Sequence, residues 1–284
     1  MSADKPFDRR LRRLRRDRAA AAPGAVRYLH HLAADELIER LSWVKRDFGE
    51  ALNIGASDDY LAEQLEMRGL KVASCDSGRR FGGAAGVQCD EDRLPFADAS
   101  FDLVTSVGVL DSVNDLPGAL TLIRRVLRPD GLFLGAFAGA GSLPRLRSAM
   151  LAADVGEGAA APHIHPQIDV RAAGDLLLRA GFALPVVDCE KVTVRFSGLL
   201  AVVADLRGMA ATNVLAERSL RPIGRTGLAA AIADFAASAD PDGKTCESFE
   251  ILYLIGWAPS PDQPRPAARG SASQSLAAAL RPRR

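Results

Sequence analysis

Glu50-Ala51-Leu52-Asn53-Ile54-Gly55-Ala56-Ser57-Asp58-Asp59-Tyr60-Leu61 reads as a short buried strand, a glycine turn and the start of a helix. Leu52 and Ile54 give the strand its apolar character. Ser57 or Asp58 supplies a short side-chain oxygen that can cap the free N–H groups of a helix start. Leu61, Leu65 and the side of Met67 follow at helical spacing until Gly69 ends the run. Leu70 to Asp76 then reads as a second strand ending in a carboxylate. Asp76 lies 21 positions after Gly55. An acid at about that distance past a strand–glycine–helix turn is placed to accept the ribose hydroxyls of an adenosine. The turn holds one glycine where a dinucleotide site has three.

The rest of the chain repeats the alternation. Residues 26–48 carry Tyr28, Leu29, Leu32, Leu37, Ile38, Leu41 and Val44 at amphipathic-helix spacing. Val87-Gln88-Cys89 reads as a third strand, and Phe101 to Val107, almost continuously apolar, as a central parallel one. Asn114-Asp115-Leu116-Pro117 opens a helix, with proline where its missing N–H costs little. Arg128-Pro129-Asp130-Gly131 reads as a turn before a fifth strand, Leu132 to Phe137. Helices over 142–153, 170–180, 199–210 and 226–238, and strands over 186–196 and 249–257, complete the pattern, with 154–168 as a loop or lid. Strands alternating with helices predict a parallel sheet with right-handed crossovers. The chain divides into a basic arm over 1–25, one domain over 26–258 and a flexible Pro-, Arg- and Ser-rich tail over 259–284.

The chain has 284 residues, 36 basic against 35 acidic, for a net charge of +1. That balance argues against general nucleic-acid binding by the body of the protein. Cys75, Cys89, Cys189 and Cys246 form no Cys-x-x-Cys pair and fit buried free thiols in a reducing, cytoplasmic setting. No run of about 18 apolar residues predicts a membrane span. The first eighteen residues hold eight basic side chains against three acidic ones. They predict a solvated helical arm folding back on the domain, with contact to an acidic partner, a membrane surface or RNA as the alternative. Three aspartates count against an organelle presequence. Asp90-Glu91-Asp92 reads as a solvated acidic loop, with Asp90 and Glu91 binding an adenine amino group or a substrate cation as the alternative. Asp111 reads as a helix cap, with orienting a cationic substrate as the alternative, and His30-His31 reads as a surface pair. His163-x-His165 lacks an evident third ligand, so no metal site is expected. No Ser/His/Asp or Cys/His set points to nucleophilic catalysis.

The order of Arg15-Arg16-Asp17-Arg18-Ala19-Ala20, Leu94-Pro95-Phe96, Phe101-Asp102-Leu103-Val104, Val113-Asn114-Asp115-Leu116-Pro117, Arg128-Pro129-Asp130-Gly131, Pro162-His163-Ile164, Ile255-Gly256-Trp257 and Arg269-Gly270-Ser271 resembles the class I S-adenosylmethionine-dependent methyltransferases. Within them it is most similar to the complex I assembly group, which includes an arginine hydroxylase. The resemblance implies a Rossmann-like α/β fold with a seven-stranded mixed sheet and helices on both faces. It also implies S-adenosylmethionine as cofactor, held by Asn53, Gly55, Ala56, Asp76, Asp90, Glu91 and Val107, and a respiratory complex subunit or other protein as partner. It assigns no catalytic residue. The chain departs from the group's pattern where the cofactor lies: Asn53 replaces an acid, Ser57 and Asp59 replace glycines, and Asp111-Ser112 replaces His-Trp. Side chains at 57 and 59 stand where backbone should approach a ligand, and Asp58 with Asp59 adds negative charge there. Two functions stay open from this reading: a methyltransferase-like enzyme, or a non-catalytic assembly or binding protein with an eroded cofactor site.

Overall fold

The computed structural model describes residues 5–22, 24–56, 58–80 and 86–263. Ser57 and most of the tail over 259–284 therefore lie outside the described residues. Strands β1 (Glu50–Ile54), β2 (Lys71–Asp76), β3 (Val87–Gln88), β4 (Phe101–Val107), β5 (Leu127–Ala138), β6 (Ala183–Phe196) and β7 (Thr245–Trp257) form one sheet in the order β3-β2-β1-β4-β5-β7-β6. β7 runs antiparallel to β5 and β6, and the other pairings are parallel. This is the seven-stranded mixed sheet expected from the resemblance. The sequence order reverses at β1 and β4, so a crevice opens beyond the carboxyl ends of those two strands.

Alternation along β1 explains why both faces are covered. Leu52 and Ile54 pack with Leu120 and Ile123 of α4 (Leu116–Val126) and Leu177 of α6 (Val170–Arg179). Ala51 joins Leu37 and Leu41 of α2 (Tyr28–Ser42) and Leu61 and Leu65 of α3 (Tyr60–Glu66) on the other face. A third cluster joins α5 (Pro144–Glu157), α7 (Leu199–Gly208) and α8 (Arg225–Ala237) beneath Phe196 and Phe249. α4 starts as its sequence predicts, with Asp115 accepting a hydrogen bond from the Gly118 N–H at 2.8 Å. The Arg128–Gly131 turn lies inside β5 as a bulge: Phe101 pairs with Leu127, and Leu103 already pairs with Leu132.

α3 begins at Tyr60, where Asp59 makes no capping bond and Asp58, as expected, accepts from the Tyr60 N–H at 3.2 Å. Two local expectations need correction. Met67 is exposed, because two positions past buried Leu65 lies about 200° round the helix, on its solvent side. Among the thiols only Cys75 is buried, and Cys189 lies open on the edge strand β6.

Candidate cofactor cleft and adjoining cavity

The basic arm forms α1 (Arg9–Ala21), and its arrangement inverts the usual helix pattern. Leu14 faces solvent, whereas Arg12 and Arg16 are buried to 6 % and 3 % exposure. Arg9, Arg12, Arg13 and Arg16 recur at helical spacing and so share one face. That face lies over the carboxyl ends of β2 and β4. Arg16 grips Asp76 with two nitrogens, its Nε donating at 2.7 and 2.9 Å to the two carboxylate oxygens. Arg12 makes a two-pronged pair with Glu91 at 2.7 and 2.8 Å and also donates to Ser112 Oγ at 3.0 Å. Arg9 and Arg13 donate to Asp90 at 2.8 and 2.6 Å, and Arg9 also holds Asp92.

The solvated arm is thus corrected to a buried one, and the solvated acidic loop to a 3-10 turn (Glu91–Arg93) whose acids are ion-paired. The reason is mutual. Neither buried guanidinium nor buried carboxylate is tolerable alone, and each supplies what the other needs. Ser112, one of the departures from the group's pattern, accepts a bond that only a polar side chain could take.

The Asn-Asp-Leu-Pro motif fixes this arm in place. Asn114 Oδ1 accepts from the Phe7 N–H at 2.9 Å, and its Nδ2 donates to the Phe7 carbonyl at 3.1 Å. Asp8 then caps α1 by accepting from Leu11 N–H at 3.0 Å.

The charges respond to this packing. Burial pushes Asp76 above the usual carboxylate range, and Arg16 only partly offsets it. Burial would also raise Asp90, but its hydrogen bonds from Arg9 and Arg13 outweigh that and hold it low. Burial opposes charge on Arg12, yet Glu91 keeps the guanidinium above its ordinary value. Cys75 is pushed well up, first by a hydrogen bond with Cys89 and then by burial.

At the glycine turn, Gly55 has φ +79° and donates its N–H to the Cys75 carbonyl at 2.8 Å. A Cβ there would lie 2.3–2.9 Å from the Val109 side chain, so only glycine fits. Asn53 and Ala56 are buried beside it, and Thr105 donates to Asn53 Oδ1 at 3.4 Å. Asp58 lies 2.7 Å from His31 Nε2, and the His31 ring stacks on Tyr60. Part of the negative charge read at this turn therefore has a protein partner. Asn53, Gly55, Ala56 and Val107 border a space of about 10 Å³, room for roughly one water. The acids suit a nucleoside by chemistry, but with α1 in place they and the space beside them are taken.

On the far side of Val107 a cavity of about 250 Å³ opens between α2, α5, α7 and the ends of β4 and β5. Leu29, Leu146, Met150, Leu206 and Met209 make its walls apolar. His30 stands between this cavity and the glycine turn, packed over Gly108. It is buried, which corrects the surface reading, and burial with nearby Arg16 lowers its pKa to about 4. Asp111 lines the cavity and caps no helix; burial lifts it to about 6 against the pull of Arg12. His163 and His165 do not converge on a metal: His163 pairs with Asp154 at 2.8 Å, and His165 accepts from the Val214 N–H at 3.0 Å. The cavity itself was not legible in the sequence, because its walls come from segments far apart along the chain.

The methyltransferase-domain family profile matches residues 52–135. The chain is 37 % identical over 283 residues to the mitochondrial arginine hydroxylase NDUFAF5 of Danio rerio, covering 95 % of this chain and 88 % of that one. It is 30 % identical over 265 residues to the malonyl-[acyl-carrier protein] O-methyltransferase of Laribacter hongkongensis, covering 86 % and 87 %. Among solved structures, the YcgJ protein of Bacillus subtilis superposes with a TM-score of 0.55 at 15 % identity, over 81 % of this chain and all of that one.

Proposed function

The chain belongs to the family of the arginine hydroxylase NDUFAF5, and from that footing we propose that it works as an S-adenosylmethionine-dependent methyltransferase-like enzyme. Asp76 would take the ribose hydroxyls and Asp90 with Glu91 the adenine side. Asn53, Gly55, Ala56 and Val107 would border the methionine side. The observation that carries this reading is the placement of Asp76: it ends β2 beside the Gly55 turn, at the carboxyl edge of the parallel part of the sheet. Cofactor entry then requires Asp76 and Glu91 to exchange Arg16 and Arg12 for the nucleoside. The name arginine hydroxylase supports an arginine as the group acted on, and the resemblance to the complex I assembly group supports a respiratory complex subunit as the protein that carries it. No helix among the described residues is long and apolar enough to cross a membrane. We place the protein in the cytoplasm on the strength of its four free thiols. The arm over 1–25, the domain over 26–258 and the tail over 259–284 remain the proposed division, with the arm now a working part of the site.

The buried arginine pairs favour a second reading, a binding or assembly protein whose cofactor cleft is permanently filled. Calorimetric titration with S-adenosylmethionine separates the two. Under the first reading the intact protein binds, and Asp76→Ala weakens binding by about 1–3 kcal/mol, the range for leaving a buried polar partner unmade. An unchanged dissociation constant in that variant removes Asp76 from the site. No heat of binding from a correctly folded sample supports the second reading.

A further inference from the structure

We propose that the cavity beside His30 is a binding site for a small organic cation: a primary ammonium group on an apolar chain, with Asp111 as its counter-ion. The inference concerns binding alone and goes beyond the enzyme reading.

Three observations carry it. The first is charge balance. Arg12 is paired with Glu91, Arg16 with Asp76, and Arg9 and Arg13 with Asp90 and Asp92. Those four guanidinium groups are matched by four carboxylates, and Arg15 of the same helix donates to Thr212 and to the Asn213 carbonyl, while the cavity itself is lined by two further carboxylates, Asp111 and Glu250. The second is the composition of the walls. No lysine or arginine lines the 250 Å³ cavity, nor the adjoining one of about 150 Å³ that shares Asp111, Phe137 and Gln167 with it. His30 and His165 stay uncharged down to about pH 4, burial being the main cause for each. An anionic ligand would therefore meet a carboxylate in an apolar enclosure with no lining lysine or arginine to compensate it. The third is an unmet hydrogen bond. His30 is 8 % exposed, lines the cavity, and its Nδ1 has no protein partner among the described residues. Buried ring nitrogens are ordinarily bonded, so the wall carries one polar group whose partner the described residues do not supply. The apolar bulk of the cavity, set by Leu146, Met150, Leu206 and Met209, would take the chain.

Two of the methionines are built-in reporters. Met150 and Met209 line the cavity, while Met67 is exposed at the end of α3. The full-length protein, carrying 13C-methyl methionine, is titrated with hexylammonium, hexanol and hexanoate at pH 7.5 without cofactor. Failure here therefore leaves the S-adenosylmethionine titration untouched. The expected result is a saturable shift of the Met150 and Met209 methyl signals with hexylammonium, with Met67 unmoved. Hexanol and hexanoate should bind at least ten times more weakly. Asp111→Asn should bring hexylammonium down to the level of hexanol. The proposal is overturned if hexanoate or hexanol binds as tightly as hexylammonium, if the two methionine signals do not move, or if Asp111→Asn binds hexylammonium unchanged. Should that variant not fold, the ranking of the three probes on the intact protein decides alone.

Discussion

Replacing Arg16 with alanine lowers the stability of the protein by about 3–5 kcal/mol at neutral pH, the cost of leaving a buried carboxylate without its counter-charge. Arg16 is almost fully buried and bonds both oxygens of Asp76. The loss is pH-dependent, and its sign follows from the direction of the shift. Burial already holds folded Asp76 above its ordinary value, and Arg16 is what limits that rise. Without Arg16 the folded carboxyl binds its proton more tightly still. The native state then holds more protons than the unfolded chain between the two pKa values, so stability falls as pH rises through that window. Urea denaturation should therefore show the Arg16→Ala deficit shrinking from pH 7.5 towards pH 4. Arg16→Met combined with Asp76→Leu should lose much less than Arg16→Ala alone, since both halves of the pair are then apolar. A deficit below about 1 kcal/mol, the value of an exposed pair, would place Arg16 in water instead.

Gly55→Ala destabilises by about 2–4 kcal/mol, from two causes acting together. The residue adopts φ +79°, which costs any residue with a Cβ. The new Cβ also meets Val109, which is fully buried and has nowhere to retreat. Thermal denaturation of Gly55→Ala in a Val109→Ala background separates the terms. The overlap disappears there and the backbone cost remains, so the two substitutions should be clearly non-additive. Simple additivity would mean that Val109 yields freely and the turn is held by something else.

These residues also show what the sequence could and could not convey. The centre of the sheet was legible because its inner strands are buried on both faces and read as apolar runs, Phe101 to Val107 above all. The helix over 116–126 announced itself through Asp115 and Pro117, whose effects are local. The acids of the cleft were legible as positions: Asp76 does end a strand beside the glycine turn. Their state was not. Hydrophobic periodicity assigns arginines to solvent, and α1 buries Arg12 and Arg16 while exposing Leu14. Only partners 60 and 79 residues away make that arrangement stable. One signal was available: arginines at 9, 12, 13 and 16 share a helical face, and the chain holds a cluster of acids to receive them. Asp111 and His30 were misread for the same reason, since nothing local marks His30 as buried or Asp111 as part of a cavity wall.

The central claim is that α1 and the cofactor compete for Asp76 and Glu91. Hydrogen exchange of the backbone amides in α1, followed with and without saturating S-adenosylmethionine, tests it most directly. Local opening sets the exchange rate of each amide, so a helix displaced from its buried contacts loses protection. The account predicts faster exchange across Arg12 to Ala19 when S-adenosylmethionine is present, with β4 and β5 unchanged. Protection of α1 that stays the same or increases in the presence of S-adenosylmethionine would contradict it.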